Sequence, residues 1–210
     1  GAPLGPLLDL LGRLARRCPV YFVTGNHEHQ LERWPAAYRG AGEPYFRSLE
    51  ELLAALRERG VRVLNDEAVA VRSTSADTAA GFTLLGVRDP ALGYARLDRA
   101  LGSRPAALPR PLVLLAHSPD IVPLAAERGI DLVVVGHTHG GQVRLPWLGA
   151  VITRTRLGRR YAQGRHRFGD TWLYISRGIG TSGLPLRLLC PPELTVLVLR
   201  CREGASNYQA

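Results

Sequence analysis

The sequence predicts an α/β fold in which two packed sheets are flanked by helices. Two observations carry this. In the first part, short apolar runs such as Val20–Val23, Leu112–Ala116 and Leu132–Val135 alternate with amphipathic segments, the pattern of βα units. Beyond Gly141 the chain reads mainly as strands and turns, which a second sheet accommodates. A third observation locates the chemistry. The runs end in Asn26-His27, in His117 and in His137-Thr138-His139, and in open α/β sheets functional groups collect beyond the carboxyl ends of strands.

Leu4 to Arg17 places Leu7, Leu8, Leu11 and Leu14 on one face, predicting a helix that Pro19 ends before the strand Val20–Val23. The strand delivers Gly25-Asn26-His27-Glu28, with Glu28 and His29 expected at the rim. Residues 30–47 read as an aromatic surface loop. Ser48 with Glu51 forms a capping box for a helix whose core stripe is Leu49, Leu52, Leu53 and Leu56, stopped by Gly60. Val61–Leu64, Ala68–Val71 and Phe82–Val87 read as strands, with a turn at Asn65-Asp66 and a small polar loop at 73–80. Asp89, at a strand end, suits either a supporting acid beside the site or plain turn chemistry.

Tyr94, Leu97 and Leu101 predict a short helix closed by Gly102. Residues 105–111 then link to the strand Leu112–Ala116. Ser118 and Pro119 are a helix start, Gly129 its stop, and Leu132–Val135 the strand feeding Gly136-His137-Thr138-His139-Gly140-Gly141-Gln142. Val143–Val151 is expected as strand and turn, Leu157–Arg167 as an Arg-rich loop, Trp172–Ser176 and Leu194–Leu199 as strands. Residues 1–203 form one expected domain, with 204–210 a frayed tail.

At 210 residues and 46% hydrophobic, the chain can bury one core, and no apolar run reaches the ~18–20 residues of a membrane span. It contains no Met and opens Gly1-Ala2-Pro3, the expectation being a processed or N-terminally trimmed chain whose localisation stays open. Cys18, Cys190 and Cys201 have no Cys-x-x-Cys spacing, which argues against a structural zinc. The net charge is +9 with no Lys, and nine Arg face a single acid, Asp170, between Arg144 and Arg187. That field attracts phosphate esters or an anionic membrane surface; no nucleic-acid-binding motif accompanies it, and nucleic acid ranks last.

Asn26, His117, His137 and His139 offer nitrogen and oxygen donors suited to borderline cations such as manganese, iron, zinc or nickel. Two such ions clamp a phosphate and acidify a water between them; His27 can ligate, donate a proton or stabilise charge. Carboxylates to neutralise the ions are not among these residues.

Gly25-Asn26-His27-Glu28, then His117, then Gly136-His137-Thr138-His139 resemble the back half of the calcineurin-like metallophosphoesterase signature. Tyr21–Glu28, His137–Gln142 and Ser176–Arg187 are similar to the branch containing YkuE and the transmembrane proteins with a metallophosphoesterase domain, over nearly the whole chain. The resemblance implies a four-layer α/β/β/α sandwich and hydrolysis of phosphoesters by two divalent ions (Mn, Fe, Zn, Ni or Mg). It assigns Asn26, His117 and His137 to one ion, His139 to the other, and His27 as the catalytic histidine. Phosphodiesters and lipid-linked pyrophosphates such as diacylated UDP-glucosamine are the implied substrates, with Arg159, Arg160 and Arg177 as candidate anion contacts. The family's Asp-x-His and Gly-Asp-x-x-Asp motifs are absent, so the expectation is a sandwich lacking its first strands. A second reading is a non-catalytic phosphate-binding or membrane-associated module.

Overall fold

The computed structural model describes residues 4–29, 46, 48–72, 81–103 and 109–200. The centre is a six-stranded sheet in the order β3 (Glu67–Arg72), β4 (Gly81–Gly86), β5 (Leu112–Leu115), β6 (Leu132–Val135), β10 (Thr171–Ile175), β9 (Gly164–Phe168). β4, β5, β6 and β10 run parallel, and the edge strands β3 and β9 are antiparallel to their neighbours. Parallel neighbours align their carboxyl ends, so His117 and Gly136, just past β5 and β6, lie side by side, the Gly136 N–H donating to the His117 carbonyl at 3.1 Å.

Alternate residues of these strands separate two faces. Leu85, Leu112, Leu114, Val133, Leu173 and Ile175 point to one side, where α3 (Leu97–Gly102) and α4 (Val122–Glu127) cover them. Leu84, Val113, Leu132 and Val134 point to the other, toward Leu64, Tyr21 and Val23. Those last residues belong to a two-stranded parallel sheet, β1 (Tyr21–Phe22) with β2 (Arg62–Val63) and their flanks. Its opposite side carries Phe22 and Val63 into a third cluster with Leu8 of α1 (Leu4–Ala15) and Leu52, Leu53 and Leu56 of α2 (Leu49–Glu58). The layers therefore run α/β/β/α, the second sheet contributing only two described strands.

Local expectations hold where short-range chemistry suffices. The Ser48 hydroxyl accepts from the Glu51 N–H at 3.2 Å, and Gly60 takes φ 81° after α2. Ser118 caps the turn Pro119–Ile121 that leads into α4, and Gly129 follows at φ 65°. Residues 143–151 fold as a hairpin, β7 (Arg144–Leu145) with β8 (Gly149–Ala150).

Several expectations are corrected. Residues 157–167 are not one loop. Arg159–Ala162 forms a 3-10 turn and β9 begins at Gly164, because β10 offers a free edge and all five β9 residues pair with it. Leu194–Leu199 is not a strand: it crosses the second face of the central sheet, Leu197 and Leu199 bordering a cavity of about 400 Å³ over Phe82, Leu84, Val113 and Val134, without a backbone partner among the described residues. Of the leucines expected on the buried face of α1, Leu8 is buried and Leu11 partly so, while Leu7 and Leu14 are exposed. The expected loop at 30–47 (save Phe46), the loop at 73–80, most of the 105–111 linker, Cys201 and the 204–210 tail lie outside the described residues.

Candidate metal centre

The residues following β1, β5 and β6 meet at one end of the sandwich. The His117 Nε2 lies 2.8 Å from the Asn26 Oδ1 and 2.9 Å from the His137 Nδ1. A ring nitrogen carries at most one hydrogen, so no single tautomer of His117 turns both contacts into full hydrogen bonds. A cation relieves that conflict better than any tautomer. Gly25 makes the approach possible, since a Cβ there would fall 2.6 Å from the His117 ring.

Burial holds these rings neutral, the form that ligates a metal. His117 is lowered to about 3, by desolvation first and then by the neighbouring histidines. Desolvation also lowers His137, against the opposing pull of Asp89, and lowers His139. Each ring is further set by a backbone carbonyl: Arg154 for His137, and Gly180 at 3.4 Å from the His139 Nδ1. Carbonyl partners of this kind fix tautomer and ring orientation in metal sites.

The loop carrying the paired histidines is strained. His137, His139 and Gln142 take φ of 67°, 53° and 53°, a region costly for residues other than glycine. Surrounding bonds hold it there. The buried Thr138 hydroxyl donates to the Ala162 carbonyl at 2.7 Å, and the Gln142 side chain bridges the Ser182 N–H and the Leu184 carbonyl. Arg187, which sequence reasoning passed over, donates to the carbonyls of His139, Arg177 and Gly180. Its only sequence signal was its place at the end of the Ser176–Arg187 stretch.

His27 sits on the same turn as Asn26 and is near enough to His117 and His139 to depress both. Glu28 and His29 are not rim residues: the Glu28 carboxylate accepts from the Gly25 N–H at 2.7 Å, and His29 bonds the Thr24 hydroxyl at 2.9 Å and packs on Tyr94. Of the two roles considered for Asp89, its bonds show the turn. Its Oδ1 accepts from the Ala91 and Leu92 N–H groups as in a turn. Its Oδ2 is buried with no partner among the described residues. Desolvation raises its pKa while His137 and His29 oppose the rise.

The candidate anion contacts separate. Arg177 is paired with Glu193 at 2.5 Å, while Arg159 and Arg160 stand exposed on the 3-10 turn packed against β8.

The donor set fits one borderline divalent ion through Asn26, His117 and His137; toward a second, the described residues offer His139. No group of three or more His, Cys, Asp or Glu side chains among the described residues is arranged to hold an ion.

A four-layer sandwich with histidine donors at its strand ends defines the metal-dependent phosphoesterase class. Residues 2–141 match the calcineurin-like phosphoesterase family model, and the chain belongs to that family. It is 42% identical to the uncharacterized metallophosphoesterase YkuE of Bacillus subtilis over 88 residues, 42% of this chain and 30% of that protein. It is 32% identical to the phosphodiesterase YaeI of Escherichia coli over 91% of this chain and 62% of that one. The transmembrane protein with metallophosphoesterase domain of Bos taurus is 31% identical over 90% of this chain and 40% of its own length. The chain thus spans less than two thirds of these relatives. No solved structure matches it. No described helix is long and apolar enough to cross a membrane.

Proposed function

We propose that this chain carries the histidine-rich half of a metal-dependent phosphodiesterase site, acting on phosphodiesters or lipid-linked pyrophosphates. The observation that supports this most is that the His117 Nε2 meets both the Asn26 Oδ1 and the His137 Nδ1. A divalent ion held there would supply Lewis-acid polarisation of a phosphoryl group and a more acidic water. The protein's part is orientation and proton handling. The strained 137–142 loop and Gly25 aim the donors, and burial keeps them unprotonated. His139, close enough to His27 and His137 to be depressed by them, would serve a second ion, and His27 would stabilise or protonate the departing oxygen. Arg159 and Arg160 attract the anion, and Arg177 contributes through the Glu193 pair that orders the 176–187 turn.

Hydrolysis of bis-p-nitrophenyl phosphate by the intact protein, measured while Mn, Zn or Mg is titrated in, tests the proposal. Metal-stimulated turnover that His137→Ala abolishes is the expected result; turnover retained in that variant refutes it. The neutral donor set favours a second reading, a non-catalytic phosphate-binding module, because without carboxylates the ion's charge is uncompensated. Metal-stimulated turnover eliminates that reading.

A further inference from the structure

Beside the donor cluster, the β7–β8 hairpin and the 179–189 turn form a continuous apolar face. They are stitched together by the Val143–Leu188 bridge, with the Leu188 N–H donating to the Gln142 carbonyl and the Arg144 N–H to the Leu188 carbonyl. At the hairpin tip Trp147 is 105% exposed, and Leu145 and Leu148 beside it are also exposed. Leu186 and Leu189 carry the exposed apolar surface onto the turn. Between hairpin and turn opens a cavity of about 370 Å³, walled by Val143, Val151, Ile152 and Leu184, and reaching His139 and Arg154. An exposed apolar patch of this extent marks an interaction surface rather than scattered apolar residues.

The charge around the patch selects the partner. Arg154, Arg156, Arg159 and Arg160 are exposed and form no ion pair among the described residues. The turn bearing Arg159 and Arg160 packs on β8, at the root of the hairpin. A Trp on a projecting tip, apolar neighbours, an unpaired Arg154 at the cavity and two more Arg at the hairpin root are what the interface of an anionic bilayer binds: the indole sits at headgroup level and the guanidinium groups meet lipid phosphates.

We propose that this face docks on an anionic lipid bilayer, Trp147 and Leu148 inserting at the headgroup level and the cavity opening from the bilayer toward His139. The use of such docking rests on the phosphoesterase reading, since it would bring a lipid-borne phosphoester to the donor cluster. The docking itself needs no hydrolysis.

Sedimentation of the full chain with phosphatidylcholine vesicles, with and without phosphatidylglycerol, tests it. The protein should pellet with the anionic vesicles only, and less so as salt rises. Trp147→Asn with Leu148→Ser should weaken this about tenfold or more; Asn tolerates the left-handed backbone at 147, where φ is 61°. Arg156→Gln should weaken it about fivefold. Leu14→Ser, an exposed apolar position on α1, is the control and should change nothing. Undiminished pelleting of the Trp147/Leu148 variant, or equal pelleting with pure phosphatidylcholine, overturns the proposal. So does absence of pelleting by a chain that instead dimerises through Trp147, which would make the face a contact between two copies. Soluble diester hydrolysis reports separately: if it is missing while vesicle binding follows the expected pattern, the phosphoesterase reading fails and the docking surface stands.

Discussion

The two faces of the central sheet are made by the same strands, yet they are closed very differently. On the α3–α4 side Leu85, Leu114, Val133, Leu173 and Ile175 are wholly buried. On the other side Leu84 and Val113 are buried, but Phe82, Leu115, Leu132 and Val134 are only partly covered, beneath a 194–199 segment that pairs with no strand among the described residues. A helix closes a sheet face with contiguous side chains, whereas a lone extended segment leaves gaps. The donor cluster depends on both sides: His117 and His137 extend from strands anchored in the helical face, while Asn26 arrives from β1 across the looser one. Rigidity on one side and slack on the other meet at the His117–Asn26 contact.

The comparison is broken most strongly by truncating the tight face. Leu114→Ala should cost about 3–4 kcal/mol in denaturant unfolding, against about 1–2 kcal/mol for Leu132→Ala on the open face. Equal losses would mean the two faces are closed alike.

A smaller effect on folding but a direct one on the site is expected of Gly25→Ala. The added methyl pushes against the His117 ring and should weaken Mn or Zn binding by about 10–100-fold in calorimetry. Unchanged affinity would show that the ring moves freely.

Acidification sharpens the contrast further. The unfolded chain takes a proton on His117 below its ordinary 6.5, whereas the folded chain resists until about 3. Because the unfolded state binds more protons between those values, stability falls as pH falls through that window and is level above it. Thermal melts at stepped pH should show this slope, and His117→Asn should flatten it; a slope unaltered in the variant would place the proton uptake elsewhere.

The smallest effect belongs to the extended segment. Val196 is 84% exposed, so Val196→Ser should stay within about 0.5 kcal/mol of the parent. A larger loss would reveal a contact that the sheet's open face makes in solution.

Much of this architecture was legible in advance. The strand ends at Asn26, His117 and His137 could be read because apolar runs and the polar residues following them lie next to each other in sequence. The caps at Ser48 and Ser118 depend on atoms two or three residues away and came out as expected. The misreadings share a cause. Residues 157–167 hold no apolar run, so β9 was invisible until the β10 edge recruited it. Leu194–Leu199 has every strand preference but no described neighbour to bond. His29 looked like rim because its partners, Tyr94 and Asp89, are distant in sequence.

The sequence by itself determined which strands end in candidate donors and the family to which the chain belongs, since periodicity and motif are local properties. The tertiary structure alone decided that the His117 Nε2 meets both Asn26 and His137, that Arg177 is engaged by Glu193, and that Trp147 projects near an apolar cavity bordered by Arg154. These are matters of distance between segments far apart along the chain, and they are set by how parallel strands align their ends and by which sheet face each side chain inherits.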